Sequence, residues 1–208
     1  MSVRASADRR ERSRERSRRD ILLASAEVFA RRGFASATLA ELAEAAGYAP
    51  ASLYRYFTSK EEIFRSLLEL VEGEFAATFE EPVDDGAPLA DRLEGLLRAQ
   101  HRLAQSRQAV FDLLAQAPSG PDGCALHDPG AGMARYGELL LGWLRRHVRT
   151  SELRHPPEDV ARAIAGIAFA FHQHQRASGN AGFGHAALIV ELALNGVAAP
   201  PHRRGTHP

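Results

Sequence analysis

The chain has 208 residues, 45% of them hydrophobic, which is enough apolar material for a buried core. Its single cysteine excludes an intrachain disulfide, and no apolar run approaches the roughly 18 residues of a membrane-spanning helix. The net charge is zero, but residues 1–60 hold 12 basic and 7 acidic residues, whereas residues 61–208 hold 14 and 19. We therefore expect a cytoplasmic protein with a basic head that binds a polyanion.

Leucine and alanine recur at helical spacing, and no alternating strand pattern is present, which predicts an all-α fold of about nine helices. Residues 1–19, the N-terminal arm, are rich in arginine and have no apolar face. This composition is typical of a flexible, solvated tail, and the alternative is an arm that contacts phosphates or the minor groove of DNA. Asp20 then caps a first helix, expected over residues 20–32, and Gly33 ends it in a left-handed conformation.

The stretch from Thr38 to Lys60, TLAELAEAAGYAPASLYRYFTSK, predicts two short helices joined by a tight turn. Thr38-x-x-Glu41 has the spacing of a capping box, and Pro50 suits the first position of a second helix, expected to reach about Phe57. Two short helices around a turn that contains glycine form a helix-turn-helix. The second helix carries side chains that can contact phosphates and base edges, namely Ser52, Tyr54, Arg55 and Tyr56.

The remaining sequence predicts a longer helical body. Ser59-x-x-Glu62 has the spacing of a second capping box, and it opens a helix that we expect to reach about Phe79. Pro82 to Pro88 is a break, after which another helix begins. Further helices are expected over about residues 107–117, 131–148, 158–177 and 185–197.

Residues 21–64 resemble the tetracycline-repressor (TetR) family of bacterial transcription regulators, through ILLASAEVFARRGF, TLAELAEAAG and SLYRYFTSKEEIF. The resemblance implies a three-helix head with a helix-turn-helix and a larger helical body for ligand binding and dimerisation. It implies a homodimer that binds a palindromic operator in double-stranded DNA. It also implies a repressor that releases the operator when a small, largely apolar molecule binds the body.

The resemblance places the DNA interface on the helix-turn-helix and on the start of the next helix. Its implied residues are Thr38, Tyr48, Ala49, Pro50, Ala51, Ser52, Tyr54, Arg55, Tyr56 and Lys60. The family usually has serine or threonine at the position of Ala49, so this chain lacks a helix cap and a phosphate donor there. We therefore expect base recognition to rely on Ser52, Arg55, apolar contacts and DNA shape.

The expected domains are the arm (1–19), the head (20–62), the ligand-binding and dimerisation body (63–198) and a disordered tail (199–208). Side chains that either belong to the body core or line an effector pocket are Leu97, His101, Phe111, Tyr136, Trp143 and His172. Residues that either pack a dimer or belong to the core of one chain are Ala161, Ala165, Ala168, Ile189, Leu192, Ala193 and Gly196.

Two other classes of function remain to be weighed against a ligand-responsive repressor. An enzyme is not expected, because the chain lacks G-x-S-x-G, a Walker loop and H-E-x-x-H, and GNAGFG joins two predicted helices. No cofactor or metal is expected, since His172 and His174 would point to different sides of a helix. An activator or an architectural DNA-binding protein that senses no ligand remains an alternative, against which the size of the body argues mildly.

Overall fold

A computed structural model describes the backbone of residues 2–110, 129–177 and 185–195, and side chains within 8–110, 132–171 and 185–195. The α-helices are α1 (Ser2–Arg32), α2 (Leu39–Ala45), α3 (Pro50–Leu53), α4 (Lys60–Ala77), α5 (Leu89–Ser106), α6 (Pro129–His147), α7 (Pro157–Ala177) and α8 (Ala186–Asn195). No residue in these ranges lies in a β-strand, which confirms the all-α prediction. Within the same ranges no helix has the length and hydropathy to cross a bilayer.

The first helix is longer than predicted. We expected it over residues 20–32, whereas α1 is continuous from Ser2 to Arg32. The segment contains neither proline nor glycine, and its arginine, glutamate and alanine residues are strong helix formers. Local propensity therefore extends the helix through the arm, although only its second half, from Ile21 onwards, contributes to the core.

Two glycines set the turns of the head, as the sequence predicts for Gly33. Gly33 and Gly47 have φ values of 76° and 74°, in the left-handed region that glycine adopts without steric cost. At the end of α2 the Gly47 N–H donates to the Glu44 carbonyl at 3.0 Å, and the Tyr48 N–H donates to the Ala43 carbonyl at 2.8 Å. This pair of hydrogen bonds is a Schellman motif, which ends α2 and turns the chain towards α3.

The N-terminal cap of α2 agrees with the predicted capping box, whereas the cap of α4 differs from the predicted one. The Thr38–Glu41 capping box is present. At α4 the Ser59 hydroxyl accepts from the Glu62 N–H at 3.1 Å, as expected. The Glu62 carboxylate, however, accepts from the N–H and hydroxyl of Thr58, both at 2.7 Å, so the second capping box is displaced by one residue.

Helix α3 is shorter than the predicted segment from Pro50 to Phe57. It ends at Leu53, after which the Tyr56 and Phe57 N–H groups both donate to the Leu53 carbonyl, at 2.9 and 3.0 Å. Ala49 provides no side-chain cap, as expected. Residues 50–57, called the recognition segment below, therefore consist of one turn of α-helix followed by a tightened turn.

Buried side chains form two clusters, and α4 contributes to both. The head core joins α1, α2 and α3 to the first half of α4, with Ile63, Phe64 and Leu67 among its members. The body core joins α5, α6, α7 and α8 to the other end of α4, where Phe75 packs against it and Phe79 follows in the 3₁₀ turn Thr78–Glu80.

A shared carboxylate ties three segments together at the junction of head and body. Glu74 on α4 pairs with Arg19 on α1 and, in a bidentate arrangement, with Arg107 after α5, at 2.7 and 3.0 Å. Burial alone would raise the pKa of Glu74, but the hydrogen bonds and charges of Arg107 and Arg19 lower it on balance.

Arg92 on α5 holds the end of α6. Its buried guanidinium donates to the carbonyl of His147, the last residue of α6, and pairs with Glu152. A cation at a helix C-terminus is favourable because the unpaired carbonyls carry partial negative charge. This contact fixes α6 relative to α5.

We predict that Glu74→Gln lowers the free energy of unfolding at pH 7 by about 1 to 3 kcal/mol, because two arginines lose a charged acceptor. The lowered pKa means that this contribution is present above pH ~4.5 and is lost as the pH falls through the folded-state pKa. The melting temperature of the variant should therefore lie below that of the wild type at pH 7, and this difference should disappear at acid pH. Glu69→Gln, an exposed carboxylate on the same helix, is the matched control.

An equal gap at both pH values, or no gap at pH 7, would contradict the role given to the Glu74 carboxylate.

Candidate nucleic-acid interface and effector pocket

Helix α3 and the turn after it have exposed side chains on one side and buried side chains that pack in the head core on the other. Leu53 and Phe57 are fully buried in the head core, so they fix the orientation of the segment. Tyr54 is 59% exposed, the most exposed large hydrophobic side chain among the described residues. The other predicted contact residues here are exposed or, for Ser52, half-buried: Ala49, Pro50, Ala51, Ser52 and Arg55. These predicted residues are thus accessible along one short segment of the chain.

Tyr48, in the turn between α2 and α3, packs against Tyr56, in the turn after α3. Their rings pack edge to face, with centroids 5.7 Å apart and planes at 70°. Both are half-buried against the head core. The pair therefore fixes the position of the turn relative to the end of the recognition segment.

Lys60 joins the start of α4 to the loop between α1 and α2. Its ammonium donates to the carbonyls of Phe34, Ala35 and Ala37 at 3.1, 3.0 and 3.2 Å. An ammonium has three N–H donors, so all of them are used. The DNA contact that the resemblance implies for Lys60 stays a prediction, which requires at least one of these hydrogen bonds to be exchanged for a phosphate.

Thr38 is exposed at the start of α2, and its hydroxyl is committed to the cap. It accepts from the Glu41 N–H at 3.3 Å and donates to the Glu41 carboxylate at 2.9 Å. Hydrogen bonds from the backbone and side chain of Thr38, together with Arg32, lower the pKa of Glu41. An ionised carboxylate therefore lies beside Thr38, which leaves this residue a weaker candidate for a phosphate contact than the α3 surface.

Arg18 joins the arm to the recognition segment, a contact that the sequence did not predict. Its guanidinium lies 4.1 Å from the centre of the Phe57 ring, donates to the Tyr56 carbonyl, and is 3.9 Å from the Glu62 carboxylate. A cation over an aromatic face is attracted by the ring quadrupole. The base of the arm is therefore fixed next to the C-terminal end of the recognition segment.

The body contains a buried polar cluster where α5 and α6 meet the end of α4. The Tyr136 hydroxyl donates to the side-chain oxygen of Gln100 at 3.0 Å, and its ring lies 5.8 Å from those of Phe75 and Phe79. Gln100 is fully buried. Its amide nitrogen and Nδ1 of His101 are buried atoms without a hydrogen-bond partner among the described residues.

Desolvation governs both titratable groups of this cluster. Burial lowers the pKa of His101 and raises the pKa of Tyr136, so both are neutral at pH 7. Buried polar atoms without partners are uncommon in proteins, and an ordered water or another bound molecule can supply the missing hydrogen bonds. The sequence pointed to His101 and Tyr136 but missed Gln100, because a glutamine between alanine and histidine on a helix resembles a surface residue.

Two of the other predicted pocket residues are core residues. Leu97 and Trp143 are each 1% exposed and belong to the body core. The side chains of Phe111 and His172 lie outside the described residues. The described pocket candidates are thus reduced to His101 and Tyr136, with Gln100 added. Within the described residues no group of three or more potential ligands is arranged to hold a metal ion.

Four of the predicted dimer residues are at most 2% exposed in the single chain: Ala161, Ala165 and Ala168 on α7, and Ile189 on α8. Their burial within one chain favours the core alternative over the dimer alternative for these four. Leu192 and Ala193 are half-buried, and Gly196 lies outside the described residues.

Comparison with known sequences agrees with this geometry. The family described as "Bacterial regulatory proteins, tetR family" matches residues 21–67. The transcriptional regulator UidR of Escherichia coli K12 is 27% identical over 107 residues, which cover 51% of this chain and 54% of UidR. The transcriptional repressor KstR2 of Mycobacterium tuberculosis is 34% identical over 92 residues, which cover 44% and 46%. The chain thus spans about half the length of the curated relatives it matches.

Solved structures show a similar fold over head and body. The TetR-family regulator PfmR of Thermus thermophilus aligns with a TM-score of 0.64 and 24% identity, over 86% of this chain and 96% of PfmR. The regulator FadR of Bacillus subtilis, solved in complex with stearoyl-CoA, aligns with a TM-score of 0.66 and 20% identity, over 86% and 98%. The head, residues 21–67, thus matches the tetR family of bacterial regulatory proteins, and most of the chain shares its fold with solved regulators of that family.

Proposed function

We propose that the protein is a dimeric transcriptional repressor of the cytoplasm that binds a palindromic DNA operator and releases it when a small, largely apolar molecule binds the body. The observation that carries this proposal is the exposed surface of α3, held on the head core by Leu53 and Phe57. The relative KstR2 is named as a repressor, which supports the sign of regulation. No enzymatic reaction is part of the proposal.

The α3 surface offers few hydrogen-bond donors to the bases. Ala49, Pro50 and Ala51 present apolar atoms, which suit the methyl groups of thymine. Tyr54 and Arg55 are exposed and can reach phosphates or base edges. We therefore assign most of the base discrimination to apolar contacts, Arg55 and DNA shape.

We predict that Tyr54→Ala and Arg55→Ala each weaken operator binding by about 1 to 3 kcal/mol, because each removes an exposed contact. Neither should change the melting temperature, since neither side chain belongs to the core. The measurement is fluorescence anisotropy with an operator selected from a random duplex library. Met133→Ala, an exposed residue of α6, is the control.

Unchanged affinity in both variants would remove α3 from the DNA interface.

Lys60→Met should instead lower the melting temperature, because three carbonyls lose their donor. If it weakened DNA binding with an unchanged melting temperature, Lys60 would regain the phosphate contact expected from the sequence.

We place effector binding at the cluster of Gln100, His101 and Tyr136. The Tyr136 hydroxyl and the Gln100 amide lie beside the rings of Phe75 and Phe79, and His101 adds a second buried nitrogen without a partner among the described residues, which suits an apolar ligand with one or two polar atoms. Phe75 and Phe79, at the end of α4, contact the ring of Tyr136. A ligand that binds better when this end of α4 is displaced would shift the dimer towards a spacing of the two α3 helices that does not fit the operator.

We predict that Gln100→Met abolishes ligand-induced release while it leaves operator affinity within about twofold, because α3 is untouched. Its melting temperature should fall slightly, because the buried Tyr136 hydroxyl loses its acceptor while only the amide nitrogen was without a partner. Stearoyl-CoA, the ligand of the B. subtilis FadR structure, is the first probe in a thermal-shift panel of acyl-CoAs and other apolar molecules. Gln105→Met, an exposed glutamine of the same helix, is the control.

Release that survives in Gln100→Met would contradict this site. Operator binding that no member of the panel relieves would favour a DNA-binding protein that senses no ligand.

We place the dimer contact on the outer face of α7 and α8. Ala163, Ala170 and Leu188 are exposed there, and Gly166 is half-exposed. Small residues on α7 allow a second helix to approach closely, and Leu188 can then be buried by the partner subunit. A two-fold contact of this kind is self-complementary, as a palindromic operator requires.

We predict that Leu188→Glu raises the dimer dissociation constant about 30-fold or more, the size of a 2 kcal/mol interface residue. The matched control is Met133→Glu, because Met133 and Leu188 are both 40% exposed in the single chain. Sedimentation equilibrium measures both variants. A monomeric wild type, or equal dissociation constants for the two variants, would contradict this interface.

A further inference from the structure

The net positive charge of residues 1–60 lies in the arm and not in the helix-turn-helix. Residues 20–60 hold four basic and four acidic residues, whereas residues 1–19 hold eight arginines and three acidic residues. Of the four basic residues, Lys60 is bound to carbonyls, Arg31 pairs with Glu27 and Arg32 pairs with Glu41. Only Arg55 has no ion pair or hydrogen bond from its side chain among the described residues. The α3 surface therefore attracts a polyanion weakly by itself.

The arm carries the missing charge on a defined helix. Five of its arginines are exposed and form no ion pair within the described part of the chain: Arg9, Arg10, Arg12, Arg14 and Arg16. They belong to α1, so Arg9 lies about 14 Å along the helix from Arg18, at a rise of 1.5 Å per residue. Because Arg18 contacts Tyr56 and Phe57, this row of charge begins at the end of the recognition segment.

The chemistry of the arm favours phosphates over other partners. Residues 8–19 contain no apolar side chain, so this part of the arm, which carries the five exposed arginines, has no face that could enter a lipid bilayer or a protein groove. Arg9, Arg12 and Arg16 follow one another at spacings of three and four, where like charges repel on a helix. A row of phosphates would neutralise that repulsion.

We infer that the exposed arginines of the arm bind backbone phosphates of the DNA next to the bases that α3 contacts, and that they supply most of the salt-dependent affinity. This inference rests on the proposed function and adds to it a second DNA-binding surface. Phosphate contacts position a protein without reading the sequence. The arm therefore strengthens binding to operator and to unrelated duplex alike.

The test replaces the five exposed arginines of the arm by glutamine, which keeps a high helix propensity. The matched control carries Arg98→Gln, Arg102→Gln, Arg145→Gln, Arg154→Gln and Arg162→Gln, five exposed arginines of the body with the same change in net charge. Dissociation constants are measured on the selected operator and on a scrambled duplex between about 50 and 300 mM salt. Each phosphate contact contributes about 0.9 to the slope of log K against log salt concentration.

We expect the arm variant to reduce this slope by about 2 to 4 on both duplexes, and the body variant to leave it unchanged. Operator binding by wild type with an unchanged slope in the arm variant overturns the inference and leaves the proposed function intact. Absence of operator preference in wild type overturns the proposed function, whereas arm-dependent binding to both duplexes would still support the phosphate contact. Arm-dependent binding to phosphatidylserine vesicles that exceeds binding to DNA overturns the inference.

Discussion

Helix α4 belongs to two hydrophobic cores at once, and the rest of the structure depends on this constraint. Its first half is buried with α1, α2 and α3, and Phe75 near its end packs against the body core. An α-helix of 18 residues is about 27 Å long and has no proline to bend it. A displacement of the body end of α4 would therefore be transmitted to the head, and the proposed coupling of a ligand to DNA binding rests on this shared helix.

Charged side chains reinforce the same junction. Glu74 joins α4 to Arg19 of α1 and to Arg107 after α5, so the long first helix, the shared helix and the body meet at one carboxylate. One residue earlier, Arg18 reaches the recognition segment. Contacts at its base thus fix the position of the arm, as the phosphate contacts inferred for its exposed arginines require.

The features that the sequence predicted correctly are those set by near neighbours. Gly33 and the Thr38–Glu41 capping box depend on residues within one turn of helix, and the structure confirms both. The contacts of Lys60 and the burial of Ala165, by contrast, depend on how distant segments pack together. The carbonyls that hold Lys60 lie more than 20 residues away, and whether an alanine stripe faces its own chain or a partner depends on how α6, α7 and α8 pack.

The residues of the candidate sites show the same difference between features set by near neighbours and features set by distant contacts. Tyr54 was predictable because an exposed aromatic residue next to a turn has few structural uses. Gln100 was not, since its burial and its hydrogen bond to Tyr136 arise only when α5 meets α6. The length of α1 was missed for another reason: charge composition suggested a solvated tail, whereas helix propensity without a breaker kept the arm helical.

A two-fold dimer that reads DNA through α3 is tested most directly by selecting bound sequences from a random duplex library with the wild-type protein. The predicted result is an enriched palindrome whose half-sites are centred about one helical turn, or a multiple of it, apart. Enrichment of an asymmetric single site, or no enrichment over the starting library, would contradict such a dimer.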